Sequence, residues 1–323
     1  MGASRPIFGE ASTADGAAIV LIPVPFDATA SYQRGTHRGP AAILDASEQI
    51  DLCDRHFGDS TKGAIHLLPA DPAIESLNSE ATSLCDQVRK HPDAVSLQRI
   101  NAIGLNLNEA LRNQASNHLA NQKIVGVIGG DHSCAFALIQ AYVDRFPKLG
   151  VLHIDAHADL RLAYEGFEWS HASIMRNVIE KTELSNLVQV GIRDYCEEER
   201  ALIDSDKRIS TFFDQDLADA QFAGETFDSQ CARIISKLPK EVYISLDIDG
   251  LDPTLCPSTG TPVPGGLSFA QLSKLLHTLA KSGKKVVGFD LSEVSPGPSQ
   301  WDANVGMRVL YKLCGCAAMA KAQ

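Results

Sequence analysis

Three short apolar runs in this chain each stop at acids or a histidine. Ile124-Val125-Gly126-Val127-Ile128 precedes Gly129-Gly130-Asp131-His132, Val151-Leu152-His153-Ile154 precedes Asp155, and Val242-Tyr243-Ile244-Ser245-Leu246 precedes Asp247. Runs of this length bounded by Gly and Asp read as buried strands. Continuously apolar strands are those of a parallel sheet covered on both faces. Ligands of such sheets gather beyond the carboxyl ends of the strands. The runs therefore bring His132, Asp155, His157, Asp159, Asp247 and Asp249 to one rim of one sheet.

The rest of the chain fits that frame. Residues 17–25 read as a first strand, and Arg38-Gly39-Pro40 opens a helix to about Gln49 with proline in its first turn. Residues 52–72 read as irregular, broken by Gly58, Gly63, Pro69 and Pro72. Residues 73–122 are mostly helical with a break near His91-Pro92, and Leu105, Leu107 and Leu111 are expected on one apolar face. Strands at 124–128, 150–154, 187–191, 209–213, 242–247 and 285–290 then alternate with helices at 134–146, 172–181, 226–238, 268–282 and from about Asn304. A Pro/Gly-rich loop occupies 252–266. This alternation predicts an α/β fold, a three-layer α-β-α arrangement around a mostly parallel sheet. Site residues drawn from 132 to 293 leave no place for a boundary. One domain over 1–323 is expected, with 1–16 as a flexible N-terminus and 50–122 as a variable region.

A net charge of −11 argues against nucleic acid or an anionic membrane as a partner and mildly favours a cationic small substrate. No run approaches the roughly 18 apolar residues of a membrane helix. Met1-Gly2-Ala3-Ser4-Arg5-Pro6 has neither the apolar core of a signal peptide nor the Ser/Thr of a myristoylation site, so cytoplasm is the expected location. The eight cysteines show no CxxC spacing and read as reduced, mostly buried thiols.

In an extended strand end, period two puts Asp155, His157 and Asp159 on one side, and likewise Asp247 and Asp249. A lone Asp at a strand end is more often a cap or turn residue. Six donors at three strand ends are better explained by two divalent ions, which the four carboxylates would balance in charge. Oxygen-rich donors with two imidazoles and no thiolate favour a harder ion such as Mn²⁺ over structural zinc. His153 lies inside its apolar run and reads as a satisfied core histidine.

The chain resembles the ureohydrolase family, the arginase and agmatinase group of binuclear manganese enzymes. The resemblance rests on Gly129-Gly130-Asp131-His132-Ser133, Asp155-Ala156-His157-Ala158-Asp159-Leu160-Arg161, Ser170-His171-Ala172-Ser173, Asp247-Ile248-Asp249-Gly250-Leu251-Asp252-Pro253 and Glu293-Val294-Ser295-Pro296. Pro25 to Tyr32 with Gly35 to Pro40 is similar to the entry segment of agmatinase-type members. The match spans about 18 to 320 and is least clear over 50–122. It implies His132, Asp155, Asp159 and Asp247 on one ion and His157, Asp155, Asp247 and Asp249 on the other, with Asp155 and Asp247 bridging. It further implies hydrolysis of a guanidino group by a metal-bridging hydroxide, Glu293 anchoring the guanidinium and His171 carrying a proton to the leaving amine. Members commonly form trimers or hexamers, so a homo-oligomer is expected, and nickel is an alternative ion.

The segment Leu160 to Trp169 resembles the agmatinase-type version, making agmatine the leading substrate. Glu165 or Glu168 could meet a distal ammonium, Trp169 could line the channel, and Arg161 either meets a carboxylate or pairs with a neighbouring acid. Arginine, guanidinobutyrate, guanidine and formimidoylglutamate remain open on the same site. A catalytically silent oligomeric scaffold would be expected to have lost one of the six donors. A one-zinc deacetylase-like hydrolase would need fewer carboxylates.

Overall fold

The computed structural model describes residues 5–321. Its elements run β1 (Ile19–Val24), α1 (Gly39–Ala46), β2 (Ile65–Leu67), α2 (Pro72–Lys90), α3 (Ala94–Ala120), β3 (Ile124–Gly129), α4 (Phe136–Arg145) and β4 (Gly150–Ile154). They continue with α5 (Ile174–Lys181), β5 (Asn186–Ile192), α6 (Glu197–Ser205), β6 (Ile209–Phe213), α7 (Asp214–Phe222), α8 (Phe227–Ser236), β7 (Glu241–Asp247), α9 (Phe269–Lys281), β8 (Lys285–Ser292) and α10 (Trp301–Lys321).

The eight strands form one sheet in the order β2-β1-β3-β8-β7-β4-β5-β6. Every neighbouring pair is parallel. Alternate residues of a strand enter opposite layers, which is why the runs are apolar throughout. Val242, Ile244 and Leu246 pack with Ile234, Leu272 and Val309 of α8, α9 and α10, whereas Tyr243 packs with Ile103, Leu138 and Val178 of α3, α4 and α5. The layers are therefore the three expected. Because all strands point one way, the carboxyl ends of β3, β8, β7 and β4 lie side by side at the middle of one rim.

Some elements differ from the expectation. The stretch read as irregular contains β2, a three-residue edge strand that pairs only with β1. Helices α6 and α7 were not foreseen; each is short and buries a single residue, Glu199 and Leu217, so neither shows apolar periodicity. The acidic start Glu197-Glu198-Glu199 favours α6 through the helix dipole instead. Leu105 does not share the buried face of Leu107 and Leu111 but is 53 % exposed, two residues being over half a turn from the face. Residues 1–4 of the N-terminal stretch lie outside the described residues. From Arg5 the chain carries a 3-10 turn, Ile7–Gly9, with Ile7 and Phe8 buried and the Phe8 ring edge-on to Tyr311 at 5.1 Å. Among the described residues no helix is long and apolar enough to cross a membrane.

Candidate metal centre

Each candidate donor lies at or beyond the carboxyl end of a central strand. Beyond β3 the chain makes a close approach to the entry segment: Gly130 N–H donates to the Val24 carbonyl at 2.8 Å, and a Cβ on Gly130 would lie 2.1 Å from the Phe26 carbonyl oxygen. That contact aims the 3-10 turn His132–Ala135 into the rim, capped by Asp131, whose carboxylate accepts from Ser133 N–H. Beyond β7 the turn Ile248–Gly250 is capped by Asp247, which accepts from Asp249 N–H at 2.9 Å. Asp131 and Asp247 thus do the ordinary capping work of an acid at a strand end, and Asp247 keeps its second oxygen for the rim.

Six residues expected from the sequence converge here. His132 Nδ1 lies 3.0 Å from Asp155 Oδ2, 3.0 Å from Asp159 Oδ2 and 3.6 Å from Asp247 Oδ2. His157 Nδ1 lies 3.1 Å from Asp249 Oδ2 and 3.5 Å from Asp155 Oδ1. The tightest donor groups are His132, His153, Asp155 and Asp159 on one side and Asp155, His157 and Asp249 on the other, with Asp155 in both. Asp247 belongs to neither of these tightest groups but touches both sides, with Oδ2 3.6 Å from His132 Nδ1 and Oδ1 accepting from Asp249 N–H. Asp159 holds a left-handed φ of 55°, a conformation that Asp tolerates better than most residues and that turns its carboxylate inward.

The hydrogen bonds around His132 show that these residues fit a cation. Its Nε2 lies 2.9 Å from Ser245 Oγ, and Ser245 donates its own hydroxyl proton to Asp290 Oδ1 at 3.1 Å. Ser245 must therefore accept from His132, which puts the proton on Nε2 and leaves a lone pair on Nδ1. That buried Nδ1 has no hydrogen-bond partner among the described residues. A lone pair surrounded by three carboxylate oxygens is repulsive unless a proton or a metal cation lies between them, and although burial opposes the charge, Asp155 and Asp159 push the His132 imidazole well above its usual range. Burial pushes the Asp159 carboxyl up to about 7 and the Asp247 carboxyl well above its usual range, with the charges of Asp155 and Asp249 adding to it. Positive charge is what the cluster lacks.

His153 is accounted for differently. The Gln189 amide donates to Ala158 O at 2.8 Å and to His153 Nδ1 at 3.0 Å, while its oxygen accepts from Thr211. His153 must then carry its hydrogen on Nε2 and donate it to Asp155 Oδ2 at 2.8 Å. It orients a neighbouring donor and has no lone pair left for an ion.

Glu293 directly follows β8 with φ 64°, a strained value that folds its side chain into the rim at 4 % exposure. Its Oε1 accepts from His132 N–H at 3.1 Å, and its Oε2 has no partner among the described residues. Burial, with the charges of Asp131 and Asp249, pushes this carboxyl well above its usual range. His171 begins a 3-10 turn, His171–Ser173, capped by Ser170. Burial, with positive charge at His157 and Arg89, pushes its imidazole down to about 3. Both residues reach the centre, and His171 lines a cavity of about 130 Å³ with His157, Asp159, Tyr164, Asp194 and Thr261. A larger cavity, about 580 Å³, lies elsewhere against α1 and α2 and touches none of the donors.

In the 160–169 segment Glu165 and Trp169 differ from the expectation, and Arg161 takes one of its two expected roles. Glu165 pairs with Arg89 at 2.6 Å, and Glu168 is exposed. Trp169 does not line the channel: it packs against Gly104 and Phe136 beneath the segment. Arg161 stacks over Tyr164 at 5.1 Å and lies 3.8 Å from Glu199, the neighbouring-acid role. The sequence reading missed Ser245, Gln189, Asp290, Thr29 and Asp131 as supports of the centre. The first three carried a signal, since each interrupts an otherwise apolar strand.

Comparison with known proteins agrees with this geometry. The arginase family model matches residues 17–315. The chain is 35 % identical over 313 residues to N(1)-aminopropylagmatine ureohydrolase of Thermus thermophilus, covering 96 % of this chain and 94 % of that protein. It is 29 % identical to agmatinase of Bacillus subtilis, covering 96 % and 93 %. The fold is similar to the crystal structure of agmatine ureohydrolase of Thermoplasma volcanium, with a TM-score of 0.75 at 22 % identity over 100 % and 97 % of the two chains. It is also similar to arginase from Bacillus subtilis, with a TM-score of 0.69 at 23 % identity over 92 % and 98 %. A family model that spans nearly the whole sheet, together with a relative matched end to end, supports one assignment: the chain belongs to the arginase family and is one of its ureohydrolases.

Proposed function

We propose that the chain hydrolyses the guanidino group of a small substrate bearing a distal amine, with agmatine giving putrescine and urea as the leading case. The observation that carries this reading is the buried Glu293 carboxylate: its Oε1 takes the N–H of His132, and its Oε2 has no partner among the described residues. A buried carboxylate with a free oxygen is best matched by a planar cation that donates to it, and a guanidinium does so. At the mouth, Asp194 is 68 % exposed and pairs with no Lys or Arg among the described residues, so it can meet a distal ammonium. Glu165 is committed to Arg89 and is not available for that purpose.

His132, Asp155, Asp159 and Asp247 would hold one divalent ion, and His157, Asp155, Asp247 and Asp249 the other, with Mn²⁺ as the expected metal. When bound, two such ions lower the pKa of water and polarise the carbon it attacks. Glu293 orients the guanidinium so that its carbon faces the donor cluster. Water adds to that carbon, and the bond to the alkyl nitrogen breaks as His171 Nε2 delivers a proton to it. The second water proton also passes to the amine, so the products are urea and the protonated amine. The unit is the whole chain, 1–323, read as a cytoplasmic homo-oligomer.

The 35 % identity to the Thermus protein favours a second substrate, N(1)-aminopropylagmatine, in which the distal amine is extended. A panel of both compounds with arginine, guanidinobutyrate and guanidine, scored by urea release, tests the reading. Formimidoylglutamate is scored separately by formamide. Preference for a substrate with a distal amine supports the proposal; preference for arginine or guanidinobutyrate, or formamide release alone, overturns it.

A further inference from the structure

We propose that the Thr29 hydroxyl fixes the tautomer of His171, which makes Thr29 a positioning residue for the proton carrier; this rests on the role given to His171 above. Thr29 lies in the entry segment between β1 and α1. Its backbone N–H and its hydroxyl both reach Asp131 Oδ2, at 3.3 and 2.8 Å. The other oxygen of the buried Asp131 takes the Ser133 N–H at 3.1 Å and the Ser133 hydroxyl. A carboxylate only accepts, so the single hydroxyl proton of Thr29 is committed to Asp131.

Two lone pairs remain on Thr29 Oγ1, and His171 meets both. The His171 backbone N–H donates at 3.2 Å, and His171 Nδ1 lies at 3.2 Å. A hydroxyl whose proton is committed can only accept, so Nδ1 carries a hydrogen. Ser170 Oγ, 3.4 Å from the same Nδ1, is a longer second contact and already accepts from Ala172 N–H. Neutral His171 therefore presents its lone pair on Nε2. Among the described residues that atom has one hydrogen-bonding neighbour, the Ser31 hydroxyl at 3.5 Å.

The reaction needs this polarity. The attacking water loses a proton as its oxygen bonds to the guanidino carbon, and Nε2 accepts that proton only if it is bare. The same proton then passes to the alkyl nitrogen as the carbon–nitrogen bond breaks, and His171 returns to its starting tautomer. Without the Thr29 hydroxyl both neutral tautomers are open, and one of them cannot accept. The Asp131–Thr29–His171 chain thus orients a histidine as a buried carboxylate does in a hydrolytic triad, with a hydroxyl interposed.

The test compares Thr29→Val and Thr29→Ser, each alone and with His171→Ala, in the metal-loaded enzyme. Thr29→Ser is expected to keep wild-type kcat. Thr29→Val is expected to lose about tenfold or more in kcat, a part of the usual general acid–base contribution, with KM and bound metal unchanged. In the His171→Ala background Thr29→Val should cost nothing more. Wild-type kcat in Thr29→Val, or an equal loss in both backgrounds, overturns the proposal. If His171→Ala is itself fully active, the proton-carrier reading falls; if it is inactive while Thr29→Val is fully active, only the present inference falls. Nitrogen-15 spectra of the histidines in the wild-type enzyme give a readout independent of folding, and a His171 ring protonated at Nε2 rather than Nδ1 would overturn it.

Discussion

Arg89 donates its Nε–H to the Glu165 carboxylate at 2.6 Å. The same guanidinium donates to the Thr29 carbonyl at 3.1 Å and stacks over Phe167. One residue of α2 thus joins the entry segment to the 160–169 segment, and Glu165 sits at a left-handed φ of 54° to receive it. Arg89→Ala should cost about 1–2 kcal/mol, typical of charge-assisted hydrogen bonds. It should also lower kcat/KM by about tenfold through misplacement of the walls beside His171. Denaturant melts and steady-state kinetics measure the two effects; an intact kcat/KM would show that the walls hold without it.

On the proposed ligand set, Ser245 and Asp290 would act on a bound ion through His132. Ser245→Ala or Asp290→Asn releases the proton from Nε2 to distribute over both nitrogens, so Nδ1 is no longer held bare. Metal affinity is expected to fall about 10–100-fold, as for other supports of a metal-binding histidine. Competition with a chelator of known affinity reads this directly, and an unchanged midpoint would remove the pair from the centre.

His171→Ala and Glu293→Gln remove groups placed outside the donor set. Metal content by elemental analysis should stay near wild type while turnover falls by about 10²–10⁴-fold for His171→Ala. Glu293→Gln keeps the shape but loses the charge proposed to face the guanidinium, so its loss should appear in both KM and kcat. A near-wild-type rate in either variant takes that residue out of the mechanism.

Asp27 organises the entry segment. Its Oδ2 accepts from Gly35 N–H at 2.9 Å and lies 2.7 Å from His37 Nδ1, and its Oδ1 accepts from the Asn78 amide at 3.2 Å. Burial opposes the charge, yet His37 and the Gly35 N–H hold this carboxyl below its usual range. A carboxyl with a depressed folded pKa contributes stability that is full above the ordinary value of about 4 and is lost as pH falls through the folded value. Asp27→Asn should therefore cost about 1–3 kcal/mol at neutral pH. The gap from wild type should narrow in urea melts below about pH 4, and a gap that widens on acidification would contradict the assignment.

Sequence and structure agree best where burial dictates residue type. β3, β4 and β7 were legible because both faces are covered, and the candidate donors stood out because six of them gather at three such ends, more than capping alone accounts for. β2, α6 and α7 were not, since edge and surface elements need little apolar pattern. The supports were hidden for another reason. Thr29 and Asp131 are more than a hundred residues apart, and nothing local marks a hydroxyl as the acceptor for a histidine. Trp169 was misplaced because an aromatic beside a candidate pocket reads the same whether it faces ligand or helix. Only Gly104, at which a Cβ would lie 2.7 Å from Trp169 Cβ, explains where it goes.

The parallel sheet gives the donors a further property. They follow β3, β4 and β7, and β8 stands between β3 and β7. No fragment shorter than the sheet's whole centre can bring His132 to Asp155 and Asp249. Affinity for the ion is therefore withheld from every partly assembled chain and appears with the finished fold, so loading serves as a check on assembly. By mass action the bound ions then hold only the completed state, and scarcity of metal should shorten the life of the folded protein as well as silence it.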